Sequence, residues 1–138
     1  MEQIRVPATL DSLAALRTRV EEAAAAAGLD RTASYRLVLA VDEIATNIVT
    51  HGYEAHGIAG TIGLAVQRGD GWLRVTLEDT APPFDPRAAA QPDAATLSLP
   101  LEQRPVGGLG VMLSLSGVDD LDYQQVAGGN RTVLGVRL

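Results

Sequence analysis

The chain contains no lysine: all eleven of its basic residues are arginine. That absence excludes a Walker-type phosphate loop, the strand lysine of eukaryotic-type protein kinases and any Schiff-base enzyme. Cysteine is also missing, which removes disulfide frameworks and thiolate chemistry. With two histidines and no cysteine, a zinc site would have to be built mainly from carboxylates, an uncommon donor set. No G-x-S-x-G nucleophile elbow occurs. No apolar run approaches the roughly 18–20 residues of a membrane span, so no membrane partner is expected. The N-terminus, MEQIRVPATLDSL, begins acidic and lacks the hydrophobic centre of a signal peptide. A cytoplasmic location is therefore the default expectation. The net charge of −6 argues against nucleic-acid backbone binding, which needs clustered cations.

What is present is a globular composition. The chain has 138 residues, 46% of them hydrophobic, which fits one domain over residues 1–138 with a sizeable core. Ile4-Arg5-Val6 alternates as a short first strand, stopped by Pro7. Asp11–Ala27 has helical spacing, with Gly28 just past its end. Asp30 is placed to cap a second helix, which is expected to end near Gly52, and residues 56–60 read as a turn. Thr61–Arg68 and Trp72–Asp79 are strands joined by a Gly69-Asp70-Gly71 hairpin, with Leu73, Val75 and Leu77 on one face. Thr80 to Pro86 holds three prolines, which suit neither a helix interior nor a central strand. The stretch from there to Pro105 has no sustained periodicity; a loop so long is more often a lid than a connector. Gly107 to Gly110 opens a short helix, Val111 to Ser116. Asp119–Val126, a Gly128-Gly129-Asn130 turn and Thr132–Leu138 form a second hairpin. Early helices followed by hairpin strands predict an α+β two-layer sandwich, in which three helices cover one face of a mixed, mostly antiparallel sheet.

Three constellations are candidates for chemistry. Within Tyr35–Tyr53, Asp42, Glu43, Thr46, Asn47 and Thr50 share the polar side of the helix, and Glu43 and Asn47 are neighbours four apart. Asn, Thr and Asp each cost about 0.5–0.7 kcal/mol relative to Ala inside a helix. The face is therefore either a poorly built surface or the wall of a site. A carboxylate there can take a proton, and an amide oxygen is a hard ligand suited to Mg²⁺. Asp79, at a strand end, either supports a turn or accepts a hydrogen bond from an exocyclic amine such as that of adenine. Gly107-Gly108-Leu109-Gly110, before a short helix, is either a flexible turn or a place where backbone N–H groups meet phosphate. A Rossmann fingerprint fails, because Leu113 stands where the third glycine belongs.

In this order, the three resemble the nucleotide-binding boxes of the gyrase/histidine-kinase ATPase superfamily, the Bergerat fold. More narrowly they look like the bacterial anti-sigma factor serine kinases, over about Leu10 to Leu138. D-E-I-A-T-N-I-V-T-H-G-Y is similar to the family's helix box, L-E-D-T-A-P-P-F-D-P to its adenine box and G-G-L-G-V-M-L to its lid-and-phosphate box. The resemblance implies ATP and Mg²⁺ as cofactors, Glu43 as general base and Asn47 as metal ligand. It also implies that Asp79 contacts the adenine amine, with Ala81, Pro83 and Phe84 in the same box. On this resemblance Gly108, Leu109 and Gly110 would lie near the phosphates, Thr132, within N-R-T-V-L, would help hold a water beside the adenine, and, in the absence of lysine, Arg104 would add a cation from the lid. The box departs from D-x-G-x-G, since Ala81 and Pro83 replace both glycines, and Ala81 adds a methyl where a ligand approaches.

The activity implied is phosphorylation of a serine on an anti-sigma factor antagonist, a STAS-type protein, with sequestration of a sigma factor or similar target. Many members work as homodimers through their early helices. The rival expectation is a non-catalytic ATP-binding module that sequesters a protein partner.

Overall fold

In the computed structural model, residues 3–83 and 118–138 are described. The expected short helix Val111–Ser116 and the residues Phe84, Arg104, Gly108, Leu109 and Gly110 lie outside them. The elements run β1 (Gln3–Pro7), a 3-10 turn (Leu10–Ser12), α1 (Leu13–Ala26), α2 (Arg31–Asn47), β2 (Thr61–Gly69), β3 (Trp72–Asp79), β4 (Asp120–Val126) and β5 (Gly129–Arg137). The five strands form one sheet in the order β1-β2-β3-β5-β4, and all four pairings are antiparallel. No helix among the described residues is long and apolar enough to cross a membrane.

Alternation decides which face of the sheet is covered. Along β3, Leu73, Val75, Leu77 and Asp79 are buried while Trp72, Arg74, Thr76 and Glu78 between them are partly exposed. Ile62 and Leu64 of β2 and Leu134 and Val136 of β5 join the buried set. Against it α1 brings Leu13, Leu16 and Val20, and α2 brings Leu37, Val41, Ile44 and Ala45. Fully burying one such aliphatic side chain contributes about 1.5–3 kcal/mol. The two helices are further joined by Arg17 and Asp42 at 2.7 Å; both are partly solvated, so the pair adds about 1 kcal/mol or less.

Local chemistry accounts for the ends of these elements. The Asp30 carboxylate accepts the Ala33 N–H at 2.7 Å and caps α2. Asp70 and Gly71 both have positive φ, +56° and +79°, which gives the primed turn that matches the twist of a two-residue hairpin. The exit of α2 differs from the expected single helix to Gly52. The α-helix stops at Asn47 and the chain widens into a π-helix, Ile48–Tyr53, then a 3-10 turn, Glu54–His56. The cause is local: Thr46 and Thr50 donate their hydroxyls to the carbonyls of Asp42 and Thr46, and Ile48-Val49-Thr50 is a β-branched run. Such π-segments occur often at functional sites.

The second hairpin also differs. Val126 pairs with Gly129, so the turn is Ala127-Gly128, and Gly129 and Asn130 belong to β5. This moves Asn130 from a turn to an inward-facing strand position opposite Asp79.

Candidate nucleotide site

Asp79 is the last residue of β3, on the inward face, and only 6% exposed. Its Oδ1 accepts two hydrogen bonds, from the Ala81 N–H at 2.9 Å and from Asn130 Nδ2 at 2.8 Å. Oδ2 has no hydrogen-bond partner among the described residues. Burial raises the pKa of this carboxyl, and the Asn130 and Ala81 bonds pull it partly back. A raised carboxyl favours the folded state most at low pH. That contribution is fully present below the ordinary Asp range and is lost as pH rises through the raised value.

Asn130 was not among the residues singled out from sequence, yet it holds the site together. It is 2% exposed and its Nδ2 also faces the carbonyls of Ala81 and Pro82, at 3.0 and 3.3 Å. Its Oδ1 accepts the Tyr123 hydroxyl. The period-two run Asn130, Thr132, Leu134, Val136, all buried, was the available signal. Thr132 lies two residues along the same face, buried and paired across the ladder with Leu77 and Tyr123.

Tyr53 was likewise read only as a helix end. Its ring is fully buried, and a side chain at Gly60 would collide with it. The hydroxyl donates to the Thr61 carbonyl at 2.8 Å and accepts the Thr80 N–H at 2.8 Å. With its one proton committed to Thr61, it also accepts from Thr80 Oγ1 at 3.1 Å. The helix exit is thereby fastened to the residue after Asp79. Tyr53→Phe keeps the ring and leaves two backbone groups without their partner, so we expect a loss of about 1–2 kcal/mol in urea unfolding; a variant as stable as the native chain contradicts this.

The Ala81 methyl packs into the core beside Gly52. Ala81 is 4% exposed and part of the hydrophobic core. A Cβ placed on Gly52 would come within 3.0 Å of the Ala81 Cβ, so the missing side chain at Gly52 makes room for the methyl. Pro83, by contrast, is exposed.

On α2, Glu43 is partly buried, and its pKa is raised, first by desolvation and then by the neighbouring Asp42 charge. Asn47 is 3% exposed, and its Nδ2 is sealed from solvent with no partner among the described residues. Burying an amide group unpaired costs about 1–3 kcal/mol, so stability alone does not explain an asparagine here. Among the described residues no three His, Cys, Asp or Glu gather into a metal cage.

Residues 6–136 match the family model described as the histidine kinase-like ATPase domain. The chain belongs to that family. Membership brings a kinase-like, ATP-binding role at the level of the family. Solved structures with the same fold include the histidine kinase domain of the Erythrobacter litoralis EL346 blue-light activated histidine kinase. That match has 18% identity, a TM-score of 0.58, and covers 96% of this chain and 62% of that one. The longer EL346 kinase matches at 18% identity with a TM-score of 0.57, over 91% of this chain and 42% of that one. A chain of the SiaB–SiaC complex from Pseudomonas aeruginosa matches at 17% identity with a TM-score of 0.61, over 100% of this chain and 89% of that one. The chain thus spans less than two-thirds of the histidine kinase chains. No curated protein sequence matches it.

The residues fit the cofactors of an ATPase domain. Asp79 offers one unshared carboxylate oxygen at a strand end. Asn47 offers a buried amide whose Nδ2, a hydrogen-bond donor, is unpaired among the described residues, and whose oxygen is of the type that ligates a hard cation.

Proposed function

We propose that this chain is an ATP-dependent protein serine kinase of the anti-sigma type, which phosphorylates an antagonist protein and sequesters a sigma factor or similar regulator. The observation that carries the reading is the Asp79 carboxylate. It is buried, braced through one oxygen, open at the other, and tied through Thr80 to the exit of the helix that bears Glu43 and Asn47. Family membership supports ATP as the nucleotide. The likeness of fold to a chain of the SiaB–SiaC complex, an assembly of two different proteins by its name, is in keeping with a protein partner.

In this reading Asp79 Oδ2 accepts the adenine amine and Thr132 holds water beside it. Asn47 would hold Mg²⁺ through its side-chain oxygen, and the ion would neutralise charge on the phosphates, the task lysine performs in other kinases. Glu43 takes the proton from the serine hydroxyl as the serine oxygen bonds to the γ-phosphorus and the bond to the leaving ADP breaks. Its raised pKa suits that work, because a carboxylate of greater proton affinity is a better base as long as it is ionised at the working pH.

The rival reading, an ATP-responsive module without transfer, drew on the replaced glycines. The Ala81 methyl has a packing role of its own beside Gly52, which supports the first reading over the rival.

A calorimetric titration with ATP tests the nucleotide reading. Binding is expected with Mg²⁺ and should weaken when it is chelated. It should also weaken as pH falls through the raised Asp79 value, because a protonated carboxyl no longer offers two acceptor oxygens. Absence of binding in both conditions refutes the proposal. Binding without phosphate on any serine of a STAS-type antagonist favours the rival.

A further inference from the structure

Resting on the ATP-binding reading above, we infer that Asn130 is a positioning residue that makes the site select adenine over guanine, by occupying one oxygen of Asp79 and leaving a base only the other. The argument begins with the donors that each purine presents. Guanine carries adjacent N1–H and 2-amino donors, a pair that suits a carboxylate with both oxygens open. Adenine presents its 6-amino donor beside the N1 acceptor, so one carboxylate oxygen suffices.

Asp79 is built for the second case. Oδ1 already takes two N–H donors, from Asn130 Nδ2 and from Ala81, and Oδ2 is the oxygen without a partner among the described residues. Two-point reading of guanine would have to displace donors from Oδ1, and the surroundings of Asn130 oppose that. The three atoms around its Nδ2 are the Asp79 carboxylate and the carbonyls of Ala81 and Pro82, all acceptors. The amide can therefore be oriented in one way only. Its own oxygen is engaged by the Tyr123 hydroxyl. The backbone leaves it no freedom either. Asn130 pairs directly with Asp79 across the β3–β5 ladder, and Gly129 before it lets the strand pass against the Asp79 carbonyl. The Asn130 bond also favours the ionised form of Asp79, the form that accepts from an amine.

The test is titration of the full chain with Mg·ADP and Mg·GDP, in the native protein, in Asn130→Leu and in Tyr123→Phe. Native protein is expected to prefer ADP by about tenfold or more, as a site does when mispairing strands its own polar groups. Asn130→Leu keeps the side-chain bulk and removes the amide, and should narrow that preference to about threefold or less while moving the acid limb of ADP binding to higher pH. Tyr123→Phe removes one hydroxyl at a partly exposed position and should narrow it in the same direction by a smaller factor, which keeps the inference testable if the leucine variant fails to fold. An unchanged ADP-to-GDP ratio in both variants, or a native protein that binds the two equally, overturns the role given to Asn130. Binding of neither nucleotide by native protein overturns the ATP reading itself, and this inference with it.

Discussion

Glu43→Gln is expected to lower serine phosphorylation by about 10²–10⁴-fold, the usual contribution of a positioned general base, while ATP binding stays at the native level. The substitution is nearly isosteric and Glu43 makes no hydrogen bond among the described residues, so the fold has little to lose. The pH profile separates this role from a structural one. Desolvation and the Asp42 charge raise the Glu43 pKa, so the native rate should fall as pH drops through a value above the ordinary glutamate range. Glutamine cannot titrate, and the variant should lack that limb. A variant that transfers phosphate at the native rate removes Glu43 from the mechanism. A variant that loses ATP binding along with transfer gives it a binding role instead.

Gly129→Ala is expected to cost about 3 kcal/mol or more, at or beyond the upper end of what overpacking usually exacts. The obstacle is backbone: a Cβ there would fall on the Asp79 carbonyl oxygen and lie 2.9 Å from the Thr80 Cα. Neither can move without breaking the β3–β5 ladder at the residue pair Asp79 and Asn130. Nucleotide binding should be lost with the stability, since Asn130 follows directly. Urea unfolding and an ADP titration measure both. Gly128 supplies the control: its φ is +80° and nothing lies within 4 Å of a Cβ placed there. Gly128→Asn should therefore be tolerated at a fraction of the cost, because asparagine visits the left-handed region most readily after glycine. Equal tolerance at both positions would mean that β5 does not press on Asp79 as described.

The contrast between these glycines also shows what sequence can convey. The first hairpin was legible because its turn is written locally in Asp70 and Gly71, and the α2 cap because Asp30 bonds to a residue three positions on. The paired faces of β3 were legible because alternation is a property of one strand. Gly129 and Asn130 are favoured in turns, and that local preference pointed to the wrong residues; the reason for both lies across the sheet, in Asp79. Tyr53 was invisible in the same way, since its partners at Thr61 and Thr80 are distant in sequence. So was the fit of Ala81 to Gly52, two residues whose volumes make sense only together. Glu43, Asn47 and Asp79 drew notice as candidates because their side chains are chemically apt, and Thr132 through the family resemblance alone. The Asn130 contact that braces Asp79 is geometric and lies between strands.

The Tyr53 hydroxyl has a consequence for cooperativity. It joins the last turn of the helical segment, the first residue of β2 and the residue that follows β3, so three chain segments meet at one oxygen. Local opening of the helix exit would release the mouth of the β2–β3 hairpin, and loosening of that hairpin would release the helix. The wall that presents Asp79 therefore opens as part of a larger unit, whose rigidity is shared with the core.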